Sequence, residues 1–417
     1  MRQDWSYAPL GKACHIKPPK SEARERLEQS DPVSFVPMND LGVREKYLSP
    51  VEKKLFGKVS GSYTYFAERD VLLAKITPCF ENGKLGIAQG LVNGIGFGSS
   101  EFIVFRPNAE LTPEFLFYFL SQDSFRDAGQ RVMSGAVGHK RVPKEFIENH
   151  LIPLPPLTEQ KSIVAILDEA FAGIDTAIAN TQKNLANARE LFESFLDSIF
   201  GAEGKTVNPV SLGDHIHLLT GFAFKSKGYT ENPKSVPLLR GDNIVQDSLR
   251  WEKVKRWPEN DVKTYEKYLL NEDDVVLAMD RTWVKNGIKF AKIGKSDLPC
   301  LLVQRVARLR AKESLNPSFL RFLIGSKRFE RYVLSIQTGL GVPQRSGKQI
   351  ENFQFHLPLK EDQNQIVAKM NELKLSVGNL ESNYAQKLSD LSEFKQSLLQ
   401  QAMSGKLTAE SSEQAVA

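Results

Sequence analysis

The chain repeats much of its own sequence after about 203 residues, and this duplication constrains the fold more than any other feature. Residues 154–160 read Leu-Pro-Pro-Leu-Thr-Glu-Gln, residues 357–363 read Leu-Pro-Leu-Lys-Glu-Asp-Gln, and Ile-Val begins three residues after each Gln. Residues 70–74 (Asp-Val-Leu-Leu-Ala) return as residues 274–278 (Asp-Val-Val-Leu-Ala). Solenoid repeats are much shorter, roughly 20–50 residues. The sequence therefore predicts a duplicated module with an internal pseudo-twofold relation.

Bulk composition indicates an ordinary globular protein. A chain of 417 residues with 41% hydrophobic and 25% charged residues favours two or three domains with sizeable cores. The three cysteines are scattered without a CxxC pair, which argues against a disulfide framework or a zinc ribbon and suits a reducing cytosol. No apolar run suits a signal peptide or a membrane span. We expect a cytoplasmic protein without membrane contact.

Positive charge is distributed unequally between the two copies. Residues 206–355 contain 25 Lys and Arg against 16 Asp and Glu, a formal net charge of +9, whereas residues 1–150 contain 20 against 18, or +2. A charge of +9 on one segment favours a polyanionic partner such as nucleic acid. The net charge of +2 on residues 1–150 is small enough to be explained by chance surface composition.

Each copy begins with a segment of about 150 residues that predicts a mixed α/β globule. Short apolar runs alternate with Asn-Gly turns, and a helix is expected after Pro113 (114–121) and after Pro317 (318–326). We predict the following segments: a first globule (1–150), a first long-helix segment (151–205), a second globule (206–355), a second long-helix segment (356–405) and a disordered tail (406–417).

The segments 151–205 and 356–405 both show the pattern of a long helix. Apolar residues recur at steps of four and three, which is the pattern of a coiled coil. Each helix would contain about 43 residues and extend about 60 Å. Two equal helices most simply pair antiparallel; the alternative is that each packs only on its own globule. The predicted apolar stripes comprise Ile163, Leu167, Ala170, Ile174, Ala177, Thr181, Leu185, Ala188, Phe192, Phe195 and Ile199, and Ile366, Met370, Leu373, Val377, Leu380, Tyr384, Leu388, Leu391, Phe394, Leu398 and Ala402.

A search for an active site finds no credible catalytic set. Residues 201–206 resemble a phosphate-binding loop but are two residues too short and follow a helix. His215 and His217 could share a metal on a strand, although without a nearby cysteine a structural pair is favoured. Asp70 and Asp274 precede β-like runs and are interpreted as turn residues. We predict no catalytic residue, no metal site and no cofactor.

The duplicated frame resembles the specificity subunit of type I restriction–modification systems. The resemblance covers about 405 residues, and residues 154–160 with Ile163-Val164 carry its strongest local match. Ser134-Gly135 and Thr338-Gly339, which lead into a basic loop in each copy, are also similar to the family. The resemblance implies a fold of mixed α/β (α+β) class: two target-recognition globules joined by two long antiparallel helices in a coiled coil.

The resemblance also implies a function without catalysis. Each globule would read one half of an asymmetric, bipartite site in double-stranded DNA, and the helices would set the spacing between the halves. The helices would dock two modification (methyltransferase) subunits, and restriction or translocase subunits would join the complex. Two alternatives from other classes stay open, a coiled-coil adaptor whose globules bind proteins and a divergent enzyme such as a methyltransferase.

Candidate DNA contacts lie in two turns of each globule. Arg pairs with guanine edges, Gln or Asn with adenine edges, and Lys or Arg with phosphates. Ordinary solvated loops are the alternative interpretation. The candidates in the first globule are Lys75, Lys84, His139, Lys140 and Arg141, and those in the second are Arg281, Trp283, Lys285, Asn286, Gln344, Arg345 and Lys348.

We predict that the two globules read DNA independently. Replacing residues 206–355 with the corresponding segment of a relative should change one half of the recognised site and leave the other half unchanged. Sequencing the positions methylated by the assembled hybrid measures this. A hybrid that alters both halves would mean that the globules read jointly.

Overall fold

The chain divides into two compact units. A computed structural model describes residues 5–43, 45–48, 50, 52–200, 209–279, 283–284 (backbone only), 287–336 and 347–408. The first unit comprises Met1–Thr181 with Ala385–Ala417, and the second comprises Gln182–Tyr384. Each unit therefore contains one globule and one half of each of two long helices.

The first globule is built on two four-stranded sheets. One sheet has the antiparallel order β2-β9-β6-β7, and the other has the order β4-β3-β8-β5 with β3 and β8 parallel. A short ladder joins β1 to β10. The elements are β1 (Ser6–Pro9), α1 (Leu10–Ala13), β2 (Cys14–Ile16), α2 (Ser21–Arg24), β3 (Pro32–Val36), β4 (Glu52–Leu55), α3 (Phe56–Val59), β5 (Thr64–Ala67), β6 (Val71–Ala74), β7 (Leu85–Ile87), β8 (Ile95–Gly98), β9 (Phe102–Pro107), α4 (Pro113–Leu120), α5 (Asp123–Val132), α6 (Lys144–Asn149), β10 (Leu151–Leu154) and the long helix α7 (Leu157–Phe200).

The second globule repeats this topology. Its main sheet has the order β12-β22-β17-β20, its second sheet pairs β13 with β21 in parallel, and β11 joins β23. The register also repeats, since Val71 lies opposite Phe105 and Val275 lies opposite Leu309. The elements are β11 (Val210–Ser211), α8 (Leu212–His215), β12 (Ile216–Thr220), β13 (Val236–Leu239), β14 (Ile244–Val245), β15 (Ser248–Leu249), β16 (Arg256–Trp257), β17 (Val275–Ala278), β18 (Trp283–Val284), β19 (Gly287–Ile288), β20 (Phe290–Lys292), β21 (Leu301–Leu302), β22 (Val306–Ala311), α9 (Pro317–Gly325), α10 (Lys327–Ser335), α11 (Gly347–Glu351), β23 (Gln354–Phe355) and the long helix α12 (Lys360–Met403).

The two long helices pair antiparallel within each unit. In the first unit, Lys395 of α12 lies 2.7 Å from the Asp175 carboxylate of α7. In the second unit, Arg189 of α7 lies 2.6 Å from the Glu381 carboxylate of α12. Within the second unit Lys369 of α12 also lies over the ring of Phe195 of α7, and within the first unit Ile163 and Leu167 share a core with Leu399 and Met403. In each unit, residue numbers therefore fall along α12 as they rise along α7, which confirms the predicted antiparallel coiled coil.

Each globule also shares its core with both helices. The first core includes Ile163 and Leu167 from the start of α7 together with Leu399 and Met403 from the end of α12. The second core includes Leu196 and Phe200 from the end of α7 together with Met370 from the start of α12. The long helices therefore pair with each other and also pack on the globules. The sequence analysis had treated these two arrangements as alternatives.

A buried glutamine joins each long helix to its globule. The Gln160 amide donates to the carbonyls of Glu110 and Pro155 at 2.7 and 2.9 Å, and its oxygen accepts from the Thr112 N–H at 2.9 Å. Thr112 is the N-cap of α4, so this side chain ties the long helix to the start of the first core helix.

The second copy repeats this joint with a different cap. Gln363 donates to the carbonyls of Ser314 and Pro358 at 3.0 and 2.9 Å and accepts from the N–H of Asn316, the N-cap of α9, at 2.7 Å. Both glutamine side chains are fully buried.

Asp70 and Asp274, interpreted from sequence as turn residues, are also buried partners in an ion pair. Asp70 accepts from the Ala67 N–H, as a turn residue does, and receives two hydrogen bonds from Arg106 at 2.7 and 2.8 Å. Asp274 receives two from Arg310 at 2.6 and 2.7 Å. Burial raises the pKa of the Asp70 carboxyl, and the Arg106 guanidinium opposes that rise. A bidentate partner is what makes a buried carboxylate tolerable.

Three details differ from the sequence predictions. Leu380 and Phe394, placed in the apolar stripes, are exposed, and Leu399, which was left out of the stripe, is buried more deeply than Leu398 because it packs in the core of the first globule. Residues 406–408, assigned to a disordered tail, form a helical turn in which Leu407 packs against the first core. Residues 151–154, assigned to the first long-helix segment, form strand β10.

Some of the sequence predictions concern residues that the structure does not describe. Residues 201–208, which include the loop that resembles a phosphate-binding motif, and residues 409–417 lie outside the described residues. Within the described residues, no helix is long and apolar enough to cross a membrane.

We predict that each glutamine joint is a stability determinant. Gln160→Leu and Gln363→Leu should each lower the free energy of unfolding by about 1–3 kcal/mol, because each removes the partners of two carbonyls and one N–H at a buried joint. Urea unfolding of the full chain measures the change. Gln182→Leu, on the exposed side of α7, is the matched control and should shift stability by less than about 0.5 kcal/mol. Equal midpoints for all three variants would contradict this role.

Candidate nucleic-acid interface

A short antiparallel ladder holds the basic loop of the first globule. Ser134 and Arg141 exchange backbone hydrogen bonds of 3.1 and 2.8 Å, which closes the loop between them. Gly135 in this loop has φ +128°, and a Cβ there would lie 2.9 Å from the His139 carbonyl oxygen. The loop therefore needs glycine at this position.

The structure brings this loop together with Lys75. The Val142 N–H donates to the Lys75 carbonyl at 3.0 Å, and the Thr77 N–H donates to the Lys140 carbonyl at 2.9 Å. These bonds join residues more than 60 positions apart in sequence. Three of the candidate residues from one turn (His139, Lys140 and Arg141) thus lie beside a fourth from another, and the side chains of His139 and Lys140 are exposed.

Arg141 is oriented by a carboxylate. Its guanidinium donates to both Glu101 oxygens, at 2.9 and 2.7 Å. This pair raises the pKa of Arg141 and lowers the pKa of Glu101. Lys75 is held nearby, since its ammonium donates to the Ser100 carbonyl at 3.0 Å and lies 4.0 Å from the Glu101 carboxylate. The surface can therefore present fixed cations to an anionic ligand.

Lys84 takes a different direction. Its ammonium donates to the Met38 carbonyl at 2.7 Å and to the Asn39 carbonyl at 3.4 Å, which ties it to the turn after β3. The structure does not bring its charged end to the loop formed by residues 134–141. Its assignment as a DNA contact stays a prediction.

Most of the candidate DNA contacts in the second globule lie on segments that the structure does not describe. Arg281, Lys285, Asn286, Gln344 and Arg345 lie outside the described residues. The backbone of Trp283 lies in β18, paired with Ile288 of β19. Lys348 is exposed on α11, at the end of the segment that carries the second basic loop.

The described residues provide no cluster of three or more His, Cys, Asp or Glu side chains that could hold a metal ion. His215, considered as a metal ligand with His217, has its Nδ1 2.8 Å from the Ser314 hydroxyl. A hydrogen bond to a neighbouring loop accounts for this histidine.

Sequence reasoning missed three lysines near the first loop. Lys17, Lys20 and Lys144 line a cavity together with Lys75, and these four lysines come from three separate segments of the chain. The close spacing of lysines at positions 12, 17 and 20 was the only local signal, and it does not show that α6 contributes another.

Comparison with known proteins identifies relatives for both copies. The family model described as "Type I restriction modification DNA specificity domain" matches residues 4–187 and again residues 204–388. The specificity subunit of the Escherichia coli type I restriction enzyme EcoAI is 29% identical over 88% of this chain and 77% of its own length. The MjaVIII specificity subunit of Methanocaldococcus jannaschii is 25% identical over 97% and 93% of the two chains.

Two solved structures share the fold. A chain from a study of complex assembly and conformational transition of the type I R-M system superimposes with a TM-score of 0.79 at 19% identity, covering 97% of this chain and 99% of that one. The HsdS subunit from Thermoanaerobacter tengcongensis gives a TM-score of 0.64 at 20% identity, covering 97% and 98%. These identities support likeness of fold.

Proposed function

Because the chain belongs to the type I restriction–modification DNA specificity family, we propose that its two globules each read one half of a split DNA site. The chain is a DNA-recognition subunit and not itself an enzyme. It binds DNA and assembles with methyltransferase and restriction subunits. The repeated sheet order with different surface residues is the observation that supports reading at two places. The two halves should differ in sequence, because the loops differ between copies.

The chain comprises two kinds of functional segment in this proposal. Residues 1–150 and 206–355 are the two readers, and residues 151–205 and 356–405 are the spacers. The spacers contain α7 and α12, which run antiparallel in each unit and carry the glutamine joints to the globules. Helices of 44 residues each suit a role in fixing the distance between two half-sites.

The DNA-facing surface of the first globule is assigned to the loop of residues 134–141 with Lys75. Its backbone ladder limits the loss of conformational entropy on binding, and its cations favour phosphates and guanine edges. The corresponding surface of the second globule is assigned to Arg281–Asn286, Gln344, Arg345 and Lys348. The net charge of +9 on residues 206–355 supports a larger electrostatic contribution from that globule.

The coiled-coil adaptor is not favoured, because the DNA specificity model matches both globules. We place the protein in the cytoplasm, where its DNA would be found. Buried Cys14 and Cys300 are free thiols, which suits a reducing compartment.

Sequencing of methylated DNA tests the proposed function. The chain is assembled with its methyltransferase subunit, and genomic DNA treated with the complex is sequenced for methylated positions. We expect a split motif with two different halves and a constant gap between them. A single uninterrupted motif would overturn the bipartite proposal.

We predict that the helices act as a ruler. Inserting four residues near Thr181 and four near Tyr384 adds about 6 Å to each helix at ~1.5 Å per residue. The gap in the methylated motif should lengthen by about two base pairs at ~3.4 Å each, while both halves keep their sequence. Retention of the original gap would show that the helices do not set it.

We also predict that the basic loops of the second globule contact DNA. Arg345→Ala, Lys348→Ala and Arg281→Ala should each lower affinity for the cognate duplex, by about 1–3 kcal/mol where a bidentate base contact is lost. Lys263→Ala is the control, because it also removes one positive charge from an exposed position of the second globule but lies outside the candidate loops. Binding measured with the assembled complex at several salt concentrations should separate the loop variants from the control. Wild-type affinity and salt dependence in all three would place the DNA-facing surface elsewhere.

A further inference from the structure

The first globule contains a lysine-lined cavity beside the proposed reading loop. Its volume is about 330 Å³, and its wall includes Lys17, Lys20, Lys75 and Lys144. Hydroxyl groups and tyrosine side chains complete the polar part of the wall, and aliphatic side chains form the rest. None of the described residues that line it is Asp or Glu.

The backbone holds two of these ammonium groups at the cavity. Lys20 donates to the Gly61 carbonyl at 2.6 Å, and Lys75 donates to the Ser100 carbonyl at 3.0 Å. An ammonium group has three donors, so each keeps two for a ligand. The charges are therefore positioned before a ligand arrives, which reduces the entropy cost of binding.

These cations repel one another. Burial lowers the pKa of Lys20, and Arg24 and Lys17 lower it further. Burial also lowers the pKa of Lys75, as do Lys17 and Arg141, while Glu101 acts in the opposite direction. Two carboxylates outside the cavity wall offset part of this repulsion, Glu148 at 2.9 Å from the Lys144 ammonium and Glu101 at 4.0 Å from that of Lys75. An anion in the cavity would reduce the remaining repulsion, which is strongest around Lys17 and Lys20.

The cavity adjoins the reading loop. Val142 ends the loop ladder, donates to the Lys75 carbonyl, and forms part of the cavity wall. Lys144 follows two residues later at the start of α6 and lies on the same wall. DNA resting on the loop would therefore carry its sugar–phosphate backbone past the cavity.

We propose that this cavity binds a backbone phosphate of the DNA next to the half-site read by the first globule. The inference rests on the proposed function and adds a contact outside the reading loops. Four ammonium groups with adjacent hydroxyls suit a phosphodiester, whose charge is shared between two oxygens. The contact positions the duplex and carries no base specificity.

The second globule lacks these lysines at the corresponding positions. The sheet register aligns Lys17 with Leu219, and the repeat aligns Lys75 with Met279 and Lys144 with Gly347. A Cβ added at Gly347 would lie 2.7 Å from Leu218, so little space is left on that side. The described residues at these corresponding positions therefore do not reproduce the lysine-lined wall in the second globule.

Salt dependence of DNA binding tests the proposal. The double variant Lys17→Gln with Lys144→Gln removes the two exposed lysines and retains the two held by carbonyls. The matched control is Lys12→Gln with Lys53→Gln, which removes two exposed lysines of the same globule that do not line the cavity. Each full chain is assembled with its methyltransferase subunit. Affinity is measured between 50 and 200 mM salt for the cognate duplex and for one with the first half scrambled.

We expect the slope of log affinity against log salt to fall by about 0.9 in the cavity variant, because the one phosphate contact that is lost contributes about 0.9. Over this fourfold rise in salt the wild type should lose roughly 3.5-fold more affinity than the variant. Cognate and scrambled duplexes should weaken by the same factor, and the control should keep the wild-type slope. Circular dichroism and the thermal midpoint verify folding.

The outcomes separate the two proposals. A wild-type slope in the cavity variant, with discrimination between duplexes intact, overturns the phosphate contact and leaves the proposed function standing. If the wild-type complex binds the cognate and scrambled duplexes equally well, and its affinity does not change with salt, both the phosphate contact and the proposed function are overturned.

A titration with adenosine monophosphate distinguishes the source of the phosphate. Submillimolar binding by the wild type that the cavity variant loses, with an unchanged DNA slope, would assign the cavity to a free phosphate ester and overturn the DNA contact. Weaker or undetectable nucleotide binding, together with the lowered slope, supports the backbone phosphate.

Discussion

A fully buried glutamine at the first turn of each long helix fixes how helix and globule meet. Gln160 and Gln363 each satisfy two carbonyls and one N–H, and that N–H belongs to the residue that caps the first core helix of the globule. An amide is suited to this place because it donates and accepts at once. A glutamate would set a carboxylate against two carbonyl oxygens. One side chain therefore links the start of each 44-residue helix to the globule that precedes it in the chain, beside the apolar contacts of the helix with the core.

The glutamine joint places residues of the long helices in the hydrophobic cores of the globules. Once the helix start is anchored, Ile163 and Leu167 enter the first core, and the antiparallel partner brings Leu399 into it from the other helix. The second unit uses the same arrangement, with Met370 and Leu196. Each globule is thus completed by segments far apart in the chain. The ion pairs Asp70–Arg106 and Asp274–Arg310, each with a buried carboxylate, repeat as well, so polar contacts are duplicated together with the apolar core.

The surfaces are what the two copies do not share. The first globule closes its basic loop with a backbone ladder, pairs Arg141 with Glu101 and forms the lysine-lined cavity. The second places Leu219 and Met279 where the first has Lys17 and Lys75, yet carries the larger net charge. One frame with two different surfaces is what reading an asymmetric, divided DNA site requires, since specificity resides in side chains and the frame only positions them.

The sequence by itself determined the duplication, the two long antiparallel helices and the first core helix after Pro113 and Pro317, because periodicity and capping signals are local. It identified Lys75 and the loop of residues 138–141 as separate candidates. Only the tertiary structure decided that they are neighbours, that Lys84 points elsewhere, and that Lys17 and Lys144 face a common cavity. The strand order β2-β9-β6-β7 creates those contacts, and local residue patterns carry no information about which distant segments a sheet will place side by side.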